Sequence, residues 1–139
     1  MDVPPSFLDT NVLLRFFTRD DEEKASRARD LLLSVEQRVE RLVTSPLVIF
    51  ETVFILQRSY GVSRSQIQSL VGSVLGLRNL ELADKSIHLD ALHLFAESGL
   101  SYADSYNAAY MRSQGIHQIY SWDADFDLMH GIARVEPGR

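Results

Sequence analysis

Cysteine is absent from the 139 residues, and lysine occurs only at Lys24 and Lys85. Without cysteine there is no disulfide framework, no thiol nucleophile and no thiolate metal site, and a cytoplasmic location is expected over a secreted one. No run approaches the roughly 18 to 20 apolar residues of a membrane helix, so a spanning segment is not expected. The opening MDVPPSFLDTN carries acid where an export signal needs base, and it lacks an apolar core and a small-residue cleavage site. Gly-rich phosphate loops, the G-x-S-x-G elbow and H-E-x-x-H are missing too. Internal repeats, low-complexity runs and Pro/Gly-rich linkers are also lacking, and the length suits one core, so a single domain over residues 1–139 is expected.

What the chain does have is charge of an uneven kind. The formal net charge is −5, which by itself argues against a phosphate-rich partner. Apart from the two lysines, however, every basic residue is arginine, whose planar fork of donors grips phosphate as well as attracting it. An acidic pocket inside a basic rim is compatible with that balance.

Periodicity and punctuation place the elements. SFLD (6–9) is expected as a strand, followed by a short helical segment NVLLRFFT. The amphipathic helix of residues 20–40 has acids gathered in its first turn, where the helix dipole favours them. LVTS (42–45) is a second strand; Ser45 and Pro46 open an apolar helix that reaches Tyr60 and stops at Gly61. Ser63 with Gln66 forms a capping box for a helix toward Gly76. NLELA (79–83) is a third strand, Asp84 a cap for a helix to Gly99, and Ser101 with Asp104 another capping box for a helix ending near Gly115. QIYS (118–121) is the fourth strand, residues 123–129 a short helical turn, and ARV (133–135) a fifth strand. Strands alternating with helices imply right-handed crossovers. The expected fold is therefore α/β, a three-layer α/β/α sandwich with a central parallel sheet of four to five short strands.

Ligands of open parallel sheets bind beyond the carboxyl ends of the strands, at the point where strand order reverses. That rule selects Asp9, Asp104, Ser121 and Asp123. Taken alone, Asp9 reads better as a helix cap, and Asp104 is explained as the acid of a capping box; the functional case rests on their occurring together. Glu51 is the only charge within SPLVIFETVFILQ, among Leu47, Val48, Phe54 and Ile55 at helical spacing. On a buried face its carboxylate would need a cation or an arginine partner; otherwise the helix is turned to leave it at an edge. Acids without histidine or cysteine suit Mg²⁺ or Mn²⁺, and the matching chemistry is metal-assisted phosphodiester hydrolysis. His88, His93, His117 and His130 fit no ligand spacing and are expected at the surface or its boundary.

FLDTNVLLR, SPLVIFETVFILQRSYG, LSYADSYNAAYMRSQG and IYSWDADFD, in that order, resemble the four acidic motifs of the PIN domain family in its VapC-type toxin branch. The resemblance implies an endoribonuclease whose Mg²⁺ or Mn²⁺ site is formed by Asp9, Glu51, Asp104 and Asp123, with Asn11 and Ser121 in support. It also implies an RNA substrate, a cognate antitoxin protein that blocks the active-site groove, and a homodimer. Arg15, Arg19 and Arg112 lie near the motifs and are candidate phosphate contacts. Acids beyond the fourth motif depart from the family pattern. Within YSWDADFD, Asp123 is expected to be a ligand, Asp125 to hold a second metal or meet a basic partner, and Asp127 to be a solvated helix-start charge. Phe126 and Leu128 are expected to pack beneath, with Trp122 at the groove wall.

Two other readings compete. An aspartyl phosphatase would use Asp9 as nucleophile, but the aspartate expected two residues later is Asn11. An inactive PIN-like or receiver-like module would use an acidic pocket only to bind phosphate or a partner.

Overall fold

The computed structural model describes residues 3–138. The chain divides into two compact units, the first running to Lys85 and the second starting at Ser86. It is an α/β protein in which, among the described residues, every strand pairing is parallel.

In the first unit the order is β1 (Ser6–Phe7), α1 (Thr10–Thr18), α2 (Glu22–Glu36), β2 (Leu42–Val43), α3 (Pro46–Arg58), α4 (Arg64–Leu75) and β3 (Leu80–Glu81). Its strands form a ladder β1–β2–β3, with Ser6 opposite Leu42 and Leu42 opposite Leu80. The strands are shorter than SFLD, LVTS and NLELA suggest; the first two end early because Asp9 and Ser45 already occupy the N-cap positions of α1 and α3. Hydrogen bonding runs slightly further than the strands: Leu8 N–H donates to the Val43 carbonyl (2.8 Å), and Thr44 N–H to that of Glu81 (2.9 Å). The buried Thr44 hydroxyl donates to the Leu8 carbonyl at 2.9 Å, which closes the carboxyl end of the β1–β2 pair. Leu8, Leu13, Leu42, Leu56 and Ile67 are essentially inaccessible and form the core on which these helices rest.

Helix ends follow local chemistry closely. Ser45 accepts from Val48 N–H with Pro46 in the first turn, and Ser63 with Gln66 makes the complete reciprocal box. Asp84 differs from expectation: its backbone is left-handed (φ 56°), whereas a capping residue is extended. Lys85, the next residue, instead donates its Nζ to the carbonyls of Leu77 (3.1 Å) and Leu80 (2.5 Å). Burial lowers its pKa.

Asp20 ties the end of α1 to the end of α3. Arg15 donates to its carboxylate at 2.9 Å and Tyr60 at 2.8 Å, and these bonds hold its pKa at about 2 against an ordinary 3.8. A depressed carboxyl contributes stability above its unfolded value and loses it as pH falls through the folded one. Acid melting curves should therefore drop between 3.8 and about 2, and Asp20→Asn should flatten that drop. An unchanged acid limb in the variant would refute this linkage.

The second unit contains α5 (Lys85–Ser98, whose first residue belongs to the first unit), α6 (Tyr102–Ser113), β4 (Gln118–Tyr120), a 3₁₀ helix (Ala124–Leu128) and β5 (Ala133–Val135). β4 and β5 pair in register Gln118–Ala133 through Tyr120–Val135. Gly115, after α6, takes the left-handed backbone (φ 68°) that lets the chain turn toward β4. His88 is fully buried, contrary to the surface position expected. It falls on the stripe Ile87, His88, Ala91, Leu92 and Phe95 that faces the core. Burial is tolerable because its Nδ1 lies 2.8 Å from the Tyr102 hydroxyl and its ring packs against Tyr106. Burial also raises the pKa of that phenol, keeping it protonated.

Candidate active site

α6 is capped by Ser101, whose Oγ accepts the Asp104 N–H at 3.1 Å. This cap fixes the first turn and brings Asp104 to the helix start, one turn before the buried Ala108 on the same face. Ala108 packs with Leu100 and Met129, so the turn that follows β4 is anchored on the face that carries Asp104. Phe126 and Met129 are the buried residues of this turn, while Leu128 is 67% exposed, which corrects the expectation that Leu128 packs beneath. The 3₁₀ helix repeats every three residues, so positions 126 and 129 share a face and 128 does not. Trp122 is exposed.

The connection between β4 and the 3₁₀ helix is a chain of short polar contacts. Ser121 Oγ accepts from Asp123 N–H at 2.9 Å, and Asp123 Oδ1 accepts from Asp125 N–H at 2.9 Å. One oxygen from each of Asp104, Asp123 and Asp125 lies within 4.8 Å of the others. Asp104 is half-buried, and its carboxyl is pushed above the ordinary value first by burial, and further by the charges of Asp123 and Asp125; hydrogen bonding of the carboxyl itself to the Ser101 side chain opposes the shift. Three oxygen donors with no histidine or cysteine among them fit a hard divalent cation, which needs only a few protein carboxylates.

Asp127 is not a free surface charge. Arg134 of β5 donates Nε to its Oδ1 (3.0 Å) and Nη2 to its Oδ2 (3.2 Å), a two-point grip, while Nη1 reaches the Ser121 carbonyl at 3.2 Å. Asp127 in turn raises the pKa of this guanidinium. One side chain therefore holds both ends of the segment that carries Asp123 and Asp125. Arg134 escaped the sequence reading, although a cation in the middle of a three-residue strand is the kind of placement that demands a partner.

Asp9 and Glu51 belong to the first unit. Asp9 occupies the N-cap position of α1, yet its side chain makes no capping hydrogen bond, so capping does not account for the carboxylate. Glu51 is exposed, which removes the burial penalty argued from its neighbours. α3 buries Val48, Ile49, Thr52, Val53 and Leu56 and leaves Leu47, Glu51 and Phe54 along an open stripe. The all-round apolar sequence concealed which side faces the core. Asn11 is exposed on α1; Arg19 pairs with Glu22 at 3.4 Å, and Arg112 donates to the His130 carbonyl at 3.3 Å.

Parallel strands alternating with helices, together with a carboxylate cluster suited to a divalent cation, define an α/β protein of the acidic-site type. More particularly, the chain belongs to the PIN domain family, which it matches over residues 6–131. It is 29% identical over 132 residues to the VapC ribonuclease of Aquifex aeolicus (strain VF5), covering 94% of this chain and 95% of that protein. Among solved structures it is similar to Mycobacterium tuberculosis VapC20, described as a sarcin-ricin loop cleaving toxin, at 23% identity and a TM-score of 0.41, covering 96% of this chain and all of that one.

Proposed function

We propose that this protein is a divalent-metal-dependent endoribonuclease, the toxin of a toxin–antitoxin pair, with residues 1–139 acting as one PIN-like domain. The observation that carries the reading is the convergence of Asp104, Asp123 and Asp125 in a chain of the PIN domain family. Asp104, Asp123 and Asp125 hold Mg²⁺ or Mn²⁺, and Asp9 and Glu51 are the further acids that cleavage requires. The uncapped carboxylate of Asp9 and the exposure of Glu51 leave both available for that role. A cation held there supplies Lewis acidity toward a phosphate oxygen and offsets the charge that develops during phosphodiester hydrolysis. Ser121 orients Asp123 through its backbone, Asn11 supports the first-unit acids, and no side chain has to form a covalent bond to the substrate. The protein acts in the cytoplasm as a homodimer, and a cognate antitoxin restrains it by covering the site. Among the described residues no helix is long and apolar enough to cross a membrane.

The test is cleavage of RNA by purified protein with Mg²⁺ or Mn²⁺ and with EDTA, beside a melting curve with and without Mn²⁺. Cleavage that EDTA abolishes, together with a Mn²⁺-dependent rise in melting temperature, is expected. No cleavage despite a Mn²⁺ shift would favour a partner-binding module, and trapping of labelled phosphate on Asp9 would favour a phosphatase.

A further inference from the structure

A second feature of the first unit is not used by the acidic cluster. Between α1 and α2 lies a cleft of about 420 Å³ with Val12, Ala28 and Leu31 among its lining. Arg15, Lys24 and Arg27 also line it, and no acidic residue does. Lys24 and Arg27 are three apart on α2, hence on one helix face, and both are exposed. Neither makes an ion pair among the described residues, while Arg15 is already answered by Asp20. In a protein of net charge −5, two unanswered cations beside a third in one acid-free cleft form a local anion site.

The placement suggests which anion. Asn11, also in the lining, is the second residue of α1, immediately beyond the Asp9–Thr10 junction. An RNA strand whose scissile phosphate reaches Asp9 therefore passes the mouth of this cleft with its neighbouring phosphates. We infer that the α1–α2 cleft is a backbone subsite for RNA, in which Lys24 and Arg27 each hold a phosphate flanking the cut and Arg15 is the third cation of the lining. The inference rests on the nuclease reading. Arginine meets phosphate by its fork and lysine as a point charge. The lining has no aromatic side chain on which a base could stack, so the subsite holds the backbone and does not read sequence.

The test uses the full chain carrying Asp104→Asn, so that bound RNA stays intact, and a fluorescent single-stranded oligoribonucleotide as probe. Lys24→Gln with Arg27→Gln should weaken binding by about tenfold or more and make the log–log salt dependence shallower by about 1.4, the value for two lost contacts on a single strand. The charge-conserving pair Lys24→Arg with Arg27→Lys should keep the slope. With Asp104 restored, the glutamine pair should raise KM and leave kcat nearly unchanged. Unchanged affinity and slope in the glutamine pair would overturn the subsite, including the case in which the cleft takes an acidic peptide instead. RNA binding that depends on these cations, in a wild-type protein that cuts nothing with Mn²⁺, would overturn the nuclease reading while leaving the subsite in place.

Discussion

Asp104→Asn should lower RNA cleavage by at least about a hundredfold while the protein keeps its fold. The substitution preserves shape and removes only charge, so the packing of α6 through Ala108 and Met129 is untouched. Losing a residue that merely supports a metal ligand costs about 10- to 100-fold, and losing a ligand should cost more. The same variant should also lose the thermal response to Mn²⁺. Saturation at about 100 times the dissociation constant stabilises a protein by about 2.7 kcal/mol, several degrees of melting temperature in a domain of this size. Without metal the order reverses: burial and the neighbouring Asp123 and Asp125 disfavour the Asp104 charge, so the asparagine variant should melt no lower than wild type in EDTA. Cleavage at the wild-type rate, or an intact Mn²⁺ shift, would remove Asp104 from the site.

Arg134→Met should weaken Mn²⁺ binding by about 10- to 100-fold, the range found when residues that orient metal ligands are removed. Its effect on melting in EDTA should be modest: the Arg134 side chain is only 17% exposed, which methionine's apolar stem suits, and Asp127, about half exposed (54%), stays solvated when the ion pair is lost. That contrast makes the experiment informative. A residue that only strengthened the fold would lower the melting temperature and leave the affinity of the folded protein for Mn²⁺ unchanged. Arg134→Lys should fail to restore binding, since an ammonium cannot grip both oxygens of Asp127 and the Ser121 carbonyl in the same fork. Asp127→Asn should resemble Arg134→Met, and if either variant bound Mn²⁺ as tightly as wild type, the clamp would have no part in positioning Asp123 and Asp125.

Local signals were legible in the sequence because the interactions behind them are local. Ser63 and Gln66 are three residues apart and bond each other, as Ser101 does the backbone of Asp104; both helix starts follow from spacing alone. The alternation of strands with helices was equally plain, and with it the parallel pairing. The ordered acids at 9, 51, 104 and 123 carried the family resemblance, and membership of the PIN domain family agrees with it.

Other features depended on contacts between residues distant in sequence or on which way an element is turned. Glu51 could be read as buried or as turned to an edge, because its neighbours are apolar on all sides, a pattern that does not say which face meets the core; the packing of α3 left it exposed. His88 looked like a surface residue, since nothing adjacent announces that Tyr102, 14 residues on, supplies the partner that makes its burial affordable. In the run Asp123, Asp125 and Asp127, spacing alone left Asp125 open between a metal and a basic partner and gave Asp127 no partner. The 3₁₀ geometry, anchored by Phe126 and Met129, sends two of them toward Asp104 and gives the third to Arg134. Composition and spacing thus determined the elements, their caps and the family, which short-range chemistry specifies. Only tertiary packing decided which carboxylates meet and which are held by a cation, because carboxylates on separate elements are paired by the packing of those elements and not by their spacing along the chain.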